Sequence, residues 1–234
     1  MMKALILLSG GIDSATALGL AVRRYGKEET AALAINYGQR HDKELKAAKA
    51  VATHYDVHLK IIDLTAIFIE SDSSLLKGAN RDIPKGSYAA QMADSESKEL
   101  STYVPYRNGL FLSVAASVAL GIGCESLWYG AHADEQAGAA YPDCSLDFHR
   151  AISASIDEGS GHSLTVEAPF IRKTKAEIVK IGIEIGVPYE LTWSCYVGGD
   201  IPCGKCATCV DRASAFAANG VSDPAISRMK IKST

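Results

Sequence analysis

The spacing of apolar and polar positions changes several times along the chain, and each change marks an element. Lys3–Leu8 is a short, nearly continuous apolar run that stops at Ser9-Gly10-Gly11, the pattern of a buried strand meeting a turn. From Ser14 to Tyr25 the residues favour helix, and Gly26 stops it. Ala31–Asn36 predicts a second strand. Asp42 stands where it can cap a helix whose Leu45, Ala48, Ala52 and Tyr55 share one face. Val57–Leu64 alternates and carries β-branched residues, as a third strand would. Farther along, Asn108–Gly121 predicts a small-residue helix, Ser126–Ala131 a strand, Leu146–Glu158 a helix and Leu164–Ala168 a strand. Thr174-Lys175-Ala176-Glu177 is a capping box with the stripe Ile178, Ile181 and Ile185 behind it, and Gly186 and Pro188 end that helix. Strands alternating with helices predict an α/β fold: a Rossmann-like parallel sheet with helices on both faces.

Residues Thr65–Tyr106 break this rhythm. They hold Gly78, Pro84, Gly86, Pro105 and a Ser-Asp-Ser-Ser run, with little periodicity. A connection this long is either a substrate lid or a solvated excursion. After Pro188 come a group of cysteines, a short helix up to Asn219-Gly220 and a basic tail. No internal repeat appears. The expected organisation is one α/β domain, residues 1–190, with a small appendage, residues 191–234.

Composition narrows the class. The chain has 234 residues, 47% hydrophobic and 22% charged, ordinary globular values that exclude disorder and coiled coil. A chain of this length buries roughly 70–75% of its unfolded surface and needs no stapling. The apolar stretch Leu110–Gly123 is too short to span a bilayer, and no signal-peptide pattern follows the first strand, so a cytoplasmic, membrane-free protein is expected. The net charge of −3 argues against a broad grip on nucleic acid. Six cysteines in such a chain suggest thiols or metal ligands before disulfides.

Two motifs carry chemistry. In Ser9-Gly10-Gly11-Ile12-Asp13-Ser14, the glycines let backbone approach a phosphate, the N–H groups of a helix start converge, and the two serines add donors. Asp13 can orient the loop or help hold Mg²⁺. The plainer reading is a tight turn with Asp13 and Ser14 as caps. Neither a Walker loop nor a dinucleotide fingerprint is present. The turn resembles the PP-loop of the ATP pyrophosphatases, which split ATP between the α and β phosphates. The second motif is Cys195, Cys203, Cys206 and Cys209, whose spacing can close a tetrahedral Zn²⁺ site with no open position, hence structural. A redox Cys-x-x-Cys pair and an iron–sulfur site are the alternatives.

Weaker signals stand at predicted strand ends and helix starts. Tyr37-Gly38-Gln39-Arg40-His41 follows the second strand, at the carboxyl edge where open α/β sheets bind ligands. Arg107-Asn108 opens a helix, and Arg107 can fork onto a carboxylate or phosphate. Gly130-Ala131-His132-Ala133-Asp134-Glu135 follows the fourth strand and leads to Tyr141-Pro142-Asp143-Cys144. Lys173 and Lys175 sit at a helix start, where positive charge opposes the helix dipole and suggests an anionic ligand.

Taken together, SGGIDS, YGQRH, the Arg107-Asn108 pair, YPDC and the cysteine knuckle resemble the 7-cyano-7-deazaguanine (preQ0) synthase family over nearly the whole chain. The resemblance implies an adenine nucleotide alpha hydrolase-like fold and the conversion of 7-carboxy-7-deazaguanine, ATP and ammonia to the nitrile through adenylated intermediates. It implies ATP with Mg²⁺ held by Leu8, Ser9, Gly10, Gly11, Asp13 and Ser14, together with Tyr37, Gln39 and Arg40. Asp13, Arg107 and Lys175 would be catalytic. Arg107, Asp134, Tyr141 and Asp143 would hold the deazapurine acid, with Asp143 accepting from its N–H groups. Cys195, Cys203, Cys206 and Cys209 would hold structural Zn²⁺, and the chain would form a homodimer that needs no nucleic acid. Two departures stand out: Tyr106 occupies a position where the family commonly has glycine, and Ala131–Ala140 is longer and more acidic than the usual lead into YPDC. Both place acceptor specificity in question. The rival readings are a PP-loop tRNA sulfur-transferase and a nonenzymatic zinc module binding nucleic acid through Arg228, Lys230 and Lys232.

Overall fold

The computed structural model describes residues 2–94, 100–132 and 141–226. Five parallel strands, β1 (Ala4–Leu7), β2 (Thr30–Asn36), β3 (His58–Asp63), β4 (Ser126–Trp128) and β5 (Thr165–Glu167), form one sheet in the order β3-β2-β1-β4-β5. The helices are α1 (Ile12–Tyr25), α2 (Lys43–Tyr55), α3 (Tyr88–Asp94), α4 (Arg107–Gly121), α5 (Leu146–Gly159), α6 (Lys175–Glu184) and α7 (Ala207–Ala218). The expected Rossmann-like α/β fold is what forms.

Alternation along the strands assigns side chains to two cores. Ala4, Ile6, Ala32, Ala34 and Trp128 face α1, α2, α6 and α7, while Leu5, Leu33, Ile35 and Leu127 face α4 and α5. The predicted stripe on α2 is present: Ala48 and Ala52 are buried, with Leu45 and Tyr55 packed against the same cluster. The capping box also forms, with the Thr174 N–H donating to Glu177 Oε2 at 2.8 Å and the Glu177 N–H to Thr174 Oγ1 at 3.3 Å.

Three local expectations change. Asp42 stands at the α2 N-cap but makes no capping bond; its carboxylate pairs with Lys46 at 2.8 Å, one turn on. The fourth strand ends at Trp128 instead of Ala131, because Tyr129 and Gly130 turn into the site. The described parts of the 65–106 excursion are neither free lid nor solvated loop. Leu75, Leu76, Tyr88, Leu100 and Val104 are buried, and the Gly86 N–H donates to Lys205 O at 2.9 Å, joining the excursion to the cysteine segment.

Beyond residue 190 the chain packs onto the same body. Ala215 and Phe216 of α7 belong to the main core, and buried Arg212 donates to both oxygens of Asp223 at 2.6 and 2.9 Å and to Tyr189 O at 3.1 Å. Strand order reverses on either side of β1, so the carboxyl ends of β1, β2 and β4 diverge there and leave a crevice.

Candidate functional site

The crevice holds a cavity of about 300 Å³, at the small end of small-molecule sites. It adjoins a second of about 310 Å³, and Tyr88, His132, Lys175 and Asp211 line both. Its floor is the turn after β1. Gly10 has φ +87°, and a Cβ there would lie 2.4 Å from Glu44 O and 2.7 Å from the Ala48 nitrogen, so the turn is pressed against α2. Only glycine combines that conformation with that approach. The Trp193 N–H donates to Gly10 O at 2.9 Å from the other side.

Within the turn, the Ser9 N–H donates to Ser14 Oγ at 3.1 Å, the Gly11 N–H to Ser9 Oγ at 3.3 Å, and Ser14 Oγ to Gly11 O at 3.2 Å. Gly11, not a serine or aspartate, is the α1 N-cap and makes no side-chain cap. Asp13 and Ser14 are thus not the caps of the plainer reading. The first-turn N–H groups of α1 have no partners within the helix and form a cradle that can receive an anion.

Asp13 Oδ2 accepts from Lys175 Nζ at 2.5 Å, with His132 Nε2 at 3.8 Å. Asp13 Oδ1 is buried with no hydrogen-bond partner among the described residues. Lys175 is the first residue of α6, where the dipole disfavours a cation, so its ammonium is held over the cradle by Asp13. Lys173 does not line the cavity.

Much of the rest of the cavity wall is aromatic. Tyr37, Tyr88, Phe111, Tyr129, Tyr141, Trp193 and Tyr196 all line it. Their hydroxyls are mostly engaged: Tyr141 with Thr102 Oγ1 at 2.6 Å, Tyr88 with Tyr196 at 2.7 Å, and Tyr37 accepting from Arg107 Nη1 at 3.2 Å. The Arg107 guanidinium lies over the Tyr37 ring at 5.1 Å and makes no ion pair among the described residues. It is a cation presented to the cavity. Gln39 also lines the cavity, its Oε1 accepting from the Tyr37 N–H at 3.0 Å.

Two candidates fall elsewhere. Arg40 points away and donates to the carbonyls of Ala79 and Arg81, holding the excursion, not a ligand. Asp143, 5% exposed, does not line the cavity: its Oδ2 accepts from the Asn108 N–H at 2.8 Å at the α4 start. Burial pushes its carboxyl up and that bond partly offsets the rise. Asn108 also donates to Cys144 Sγ at 3.1 Å, and burial holds that thiol up at about 12, a neutral wall group. Asp134 lies outside the described residues. Tyr106 faces outward, 58% exposed, with φ +53° and its ring against Phe148 and Gly109. Its left-handed backbone is one that glycine adopts more readily, and its side chain does not line the cavity. Sequence reading missed Glu44, Tyr88, Tyr129, Trp193 and Tyr196, which no local motif marks.

The sulfurs of Cys195, Cys203, Cys206 and Cys209 lie within 4.8 Å of one another, a group able to hold a metal ion. Backbone N–H groups of Cys203, Lys205 and Cys206 donate to sulfurs at 3.3 to 3.4 Å, and hydrogen bonds from Cys195 and Cys209 hold Cys206 well below the ordinary thiol value. The segment is wired to the cavity: Cys195 O accepts from Trp193 Nε1 at 2.8 Å and faces His41 Nε2 at 3.0 Å.

A parallel sheet whose first strand feeds a Ser-Gly-Gly turn, with an acid–base pair over that turn at the switch point, defines a PP-loop-type α/β protein. The solved structure of NMN synthetase from Francisella tularensis shares the fold, with a TM-score of 0.51 over 98% of this chain and 82% of that one at 15% identity. The chain belongs to the QueC family: the family model described as queuosine biosynthesis protein QueC matches residues 3–220. A protein of Archaeoglobus fulgidus named 7-cyano-7-deazaguanine synthase is 43% identical over 97% of this chain and 90% of its own length. One of the same name from Caldicellulosiruptor bescii is 40% identical, over 95% and 96%. No helix among the described residues is long and apolar enough to cross a membrane.

Proposed function

We propose that this chain converts 7-carboxy-7-deazaguanine, ATP and ammonia to 7-cyano-7-deazaguanine. The observation that carries the reading is one cavity lined both by the Ser-Gly-Gly turn under Lys175 and by Arg107 among aromatic side chains, with no ion pair to Arg107 among the described residues. The cradle suits ATP phosphates, the aromatic walls suit a flat heterocycle, and Arg107 suits its carboxylate. A carboxylate is a poor electrophile because its oxygen leaves badly. Attack on the α-phosphorus makes an acyl-adenylate, and donors of the Ser9–Ser14 turn receive the departing pyrophosphate where charge develops. Lys175 exchanges Asp13 for phosphate, and the unpartnered Asp13 Oδ1 is the oxygen fitted to Mg²⁺, which neutralises phosphate charge when bound.

Removing both carboxylate oxygens needs two activations, so each nitrile should release two AMP and two pyrophosphate, with the primary amide as an accepted intermediate. Mass spectrometry of the nitrile, with AMP counted beside it and no RNA present, tests this. ADP with orthophosphate, or an amide that is never processed, overturns it. The four cysteines are assigned to structural Zn²⁺, since four thiolates leave no open position. Residues 1–190 form the catalytic unit and 191–234 the metal-bearing part that completes its cavity. Thiols outside any disulfide suit a cytoplasmic setting. The family resemblance supports a homodimer, which sedimentation would check.

A further inference from the structure

Glu44 is the one acidic side chain lining the main cavity that the function above leaves without a task once Asp13 is assigned and Asp211, which has interactions of its own, is set aside. It sits in the first turn of α2, with its backbone carbonyl against Gly10, so the phosphate turn itself fixes where the helix start stands. Among the described residues its carboxyl makes no hydrogen bond and no ion pair. Arg107 from α4 and Tyr37 from the β2–α2 connection are the described titratable groups that act on it. An acceptor that faces a cavity without a protein donor is placed to take a proton or a cation from a ligand.

We propose that Glu44 is the general base that deprotonates ammonium beside the acyl-adenylate. The inference rests on the proposed function, because Arg107 is taken to hold the substrate carboxylate and so to bring the activated carbon next to Glu44. Ammonium gives one proton to the Glu44 carboxylate, and the nitrogen lone pair forms the C–N bond. The C–O bond to the adenylate breaks, leaving its electron pair on the AMP phosphate. The adduct nitrogen then sheds a second proton, and both protons leave through the same carboxyl to water. Burial supports the assignment: it raises the carboxyl from 4.5 to about 7, against a smaller downward pull from Arg107, where a base near neutrality works best.

Glu44→Gln keeps shape and removes the base. With wild type and variant, acid-dependent exchange of labelled pyrophosphate into ATP is measured without ammonium, and amide formation is measured with it across pH. The expected split is exchange within about threefold of wild type and amide formation down about a hundredfold or more. The variant's rate should keep climbing with pH as free ammonia accumulates, where the wild-type rate rises as Glu44 ionises and levels off above about 7. Equal loss of exchange and amide formation would make Glu44 a nucleotide or acid ligand and overturn the proposal, as would unchanged amide formation. Wild type showing no acid-dependent exchange would instead sink the proposed function itself.

Discussion

The turn and the aromatic wall of the cavity are built in opposite ways. The turn is six consecutive residues between strand and helix, and it presents backbone N–H groups beside its two serines. The aromatic wall draws Tyr37, Tyr88, Phe111, Tyr129, Tyr141 and Tyr196 from six separate parts of the chain. The first is a local motif stabilised by close backbone contact; the second exists only when the excursion, α4, the YPDC turn and the cysteine segment all dock. Under the proposed function, chemistry common to many nucleotide users falls to the first and choice of acceptor to the second.

The cysteine segment is where this contrast breaks most sharply. Trp193, Ser194 and Tyr196 reach the cavity from residues tied to Cys195, and the excursion pairs with Lys205. Cys206→Ser should therefore lose stoichiometric metal and soluble, folded protein, since metal-binding energy is also folding energy. Metal analysis and solubility check this; a metal-free variant equally stable and active would refute it.

Next in size, Asp13→Ala should lower adenylation about 10³-fold while the melting temperature stays near wild type, because the residue faces the cavity and lies outside both cores. Near-normal turnover with saturating Mg²⁺-ATP would reduce the turn to a structural element.

The turn should also discriminate between its own glycines. Gly10→Ala meets backbone at 2.4 and 2.7 Å in a left-handed conformation and should cost about 3 kcal/mol or more in denaturant unfolding. Gly11→Ala meets nothing closer than Ser9 Oγ at 3.5 Å, and its φ of −81° is ordinary, so it should cost less than about 1 kcal/mol. Similar costs would contradict the close approach on α2.

A further effect concerns pH. The Glu44 carboxyl is raised from 4.5 to about 7 by burial, so between those values the folded protein holds a proton that the unfolded chain has lost. Its contribution to stability is fully present below 4.5 and declines as pH rises through 7. Comparing pH–stability curves of wild type and Glu44→Gln isolates it, and parallel curves would show that the carboxyl is not buried as described.

Legibility in the sequence follows the same division. The turn at Ser9–Ser14, the capping box at Thr174 and the four-cysteine spacing were readable because each is a short-range pattern with its own physical signature. Arg40 and Asp143 were misplaced because neighbours in sequence were taken as neighbours in the site. Arg40 is adjacent to a lining residue yet turns to the carbonyls of Ala79 and Arg81, and Asp143 spends a carboxylate oxygen on the α4 start. Tyr106 was readable as unusual but not as outward-facing.

By itself, then, the sequence determined the α/β class, the helix and strand order, the Ser-Gly-Gly turn after the first strand and the cysteine group, since these depend on period, glycine conformation and residue spacing over a short range. Tertiary structure decided which side chains share the cavity. It left Arg107 without an ion pair among the described residues, set Lys175 over Asp13, placed a half-buried Glu44 beside the Ser-Gly-Gly turn and gathered the aromatic wall. Those outcomes depend on how helices from distant parts of the chain pack on the two faces of one sheet, where a side chain's partner and its access to water are settled by docking and not by its neighbours in sequence.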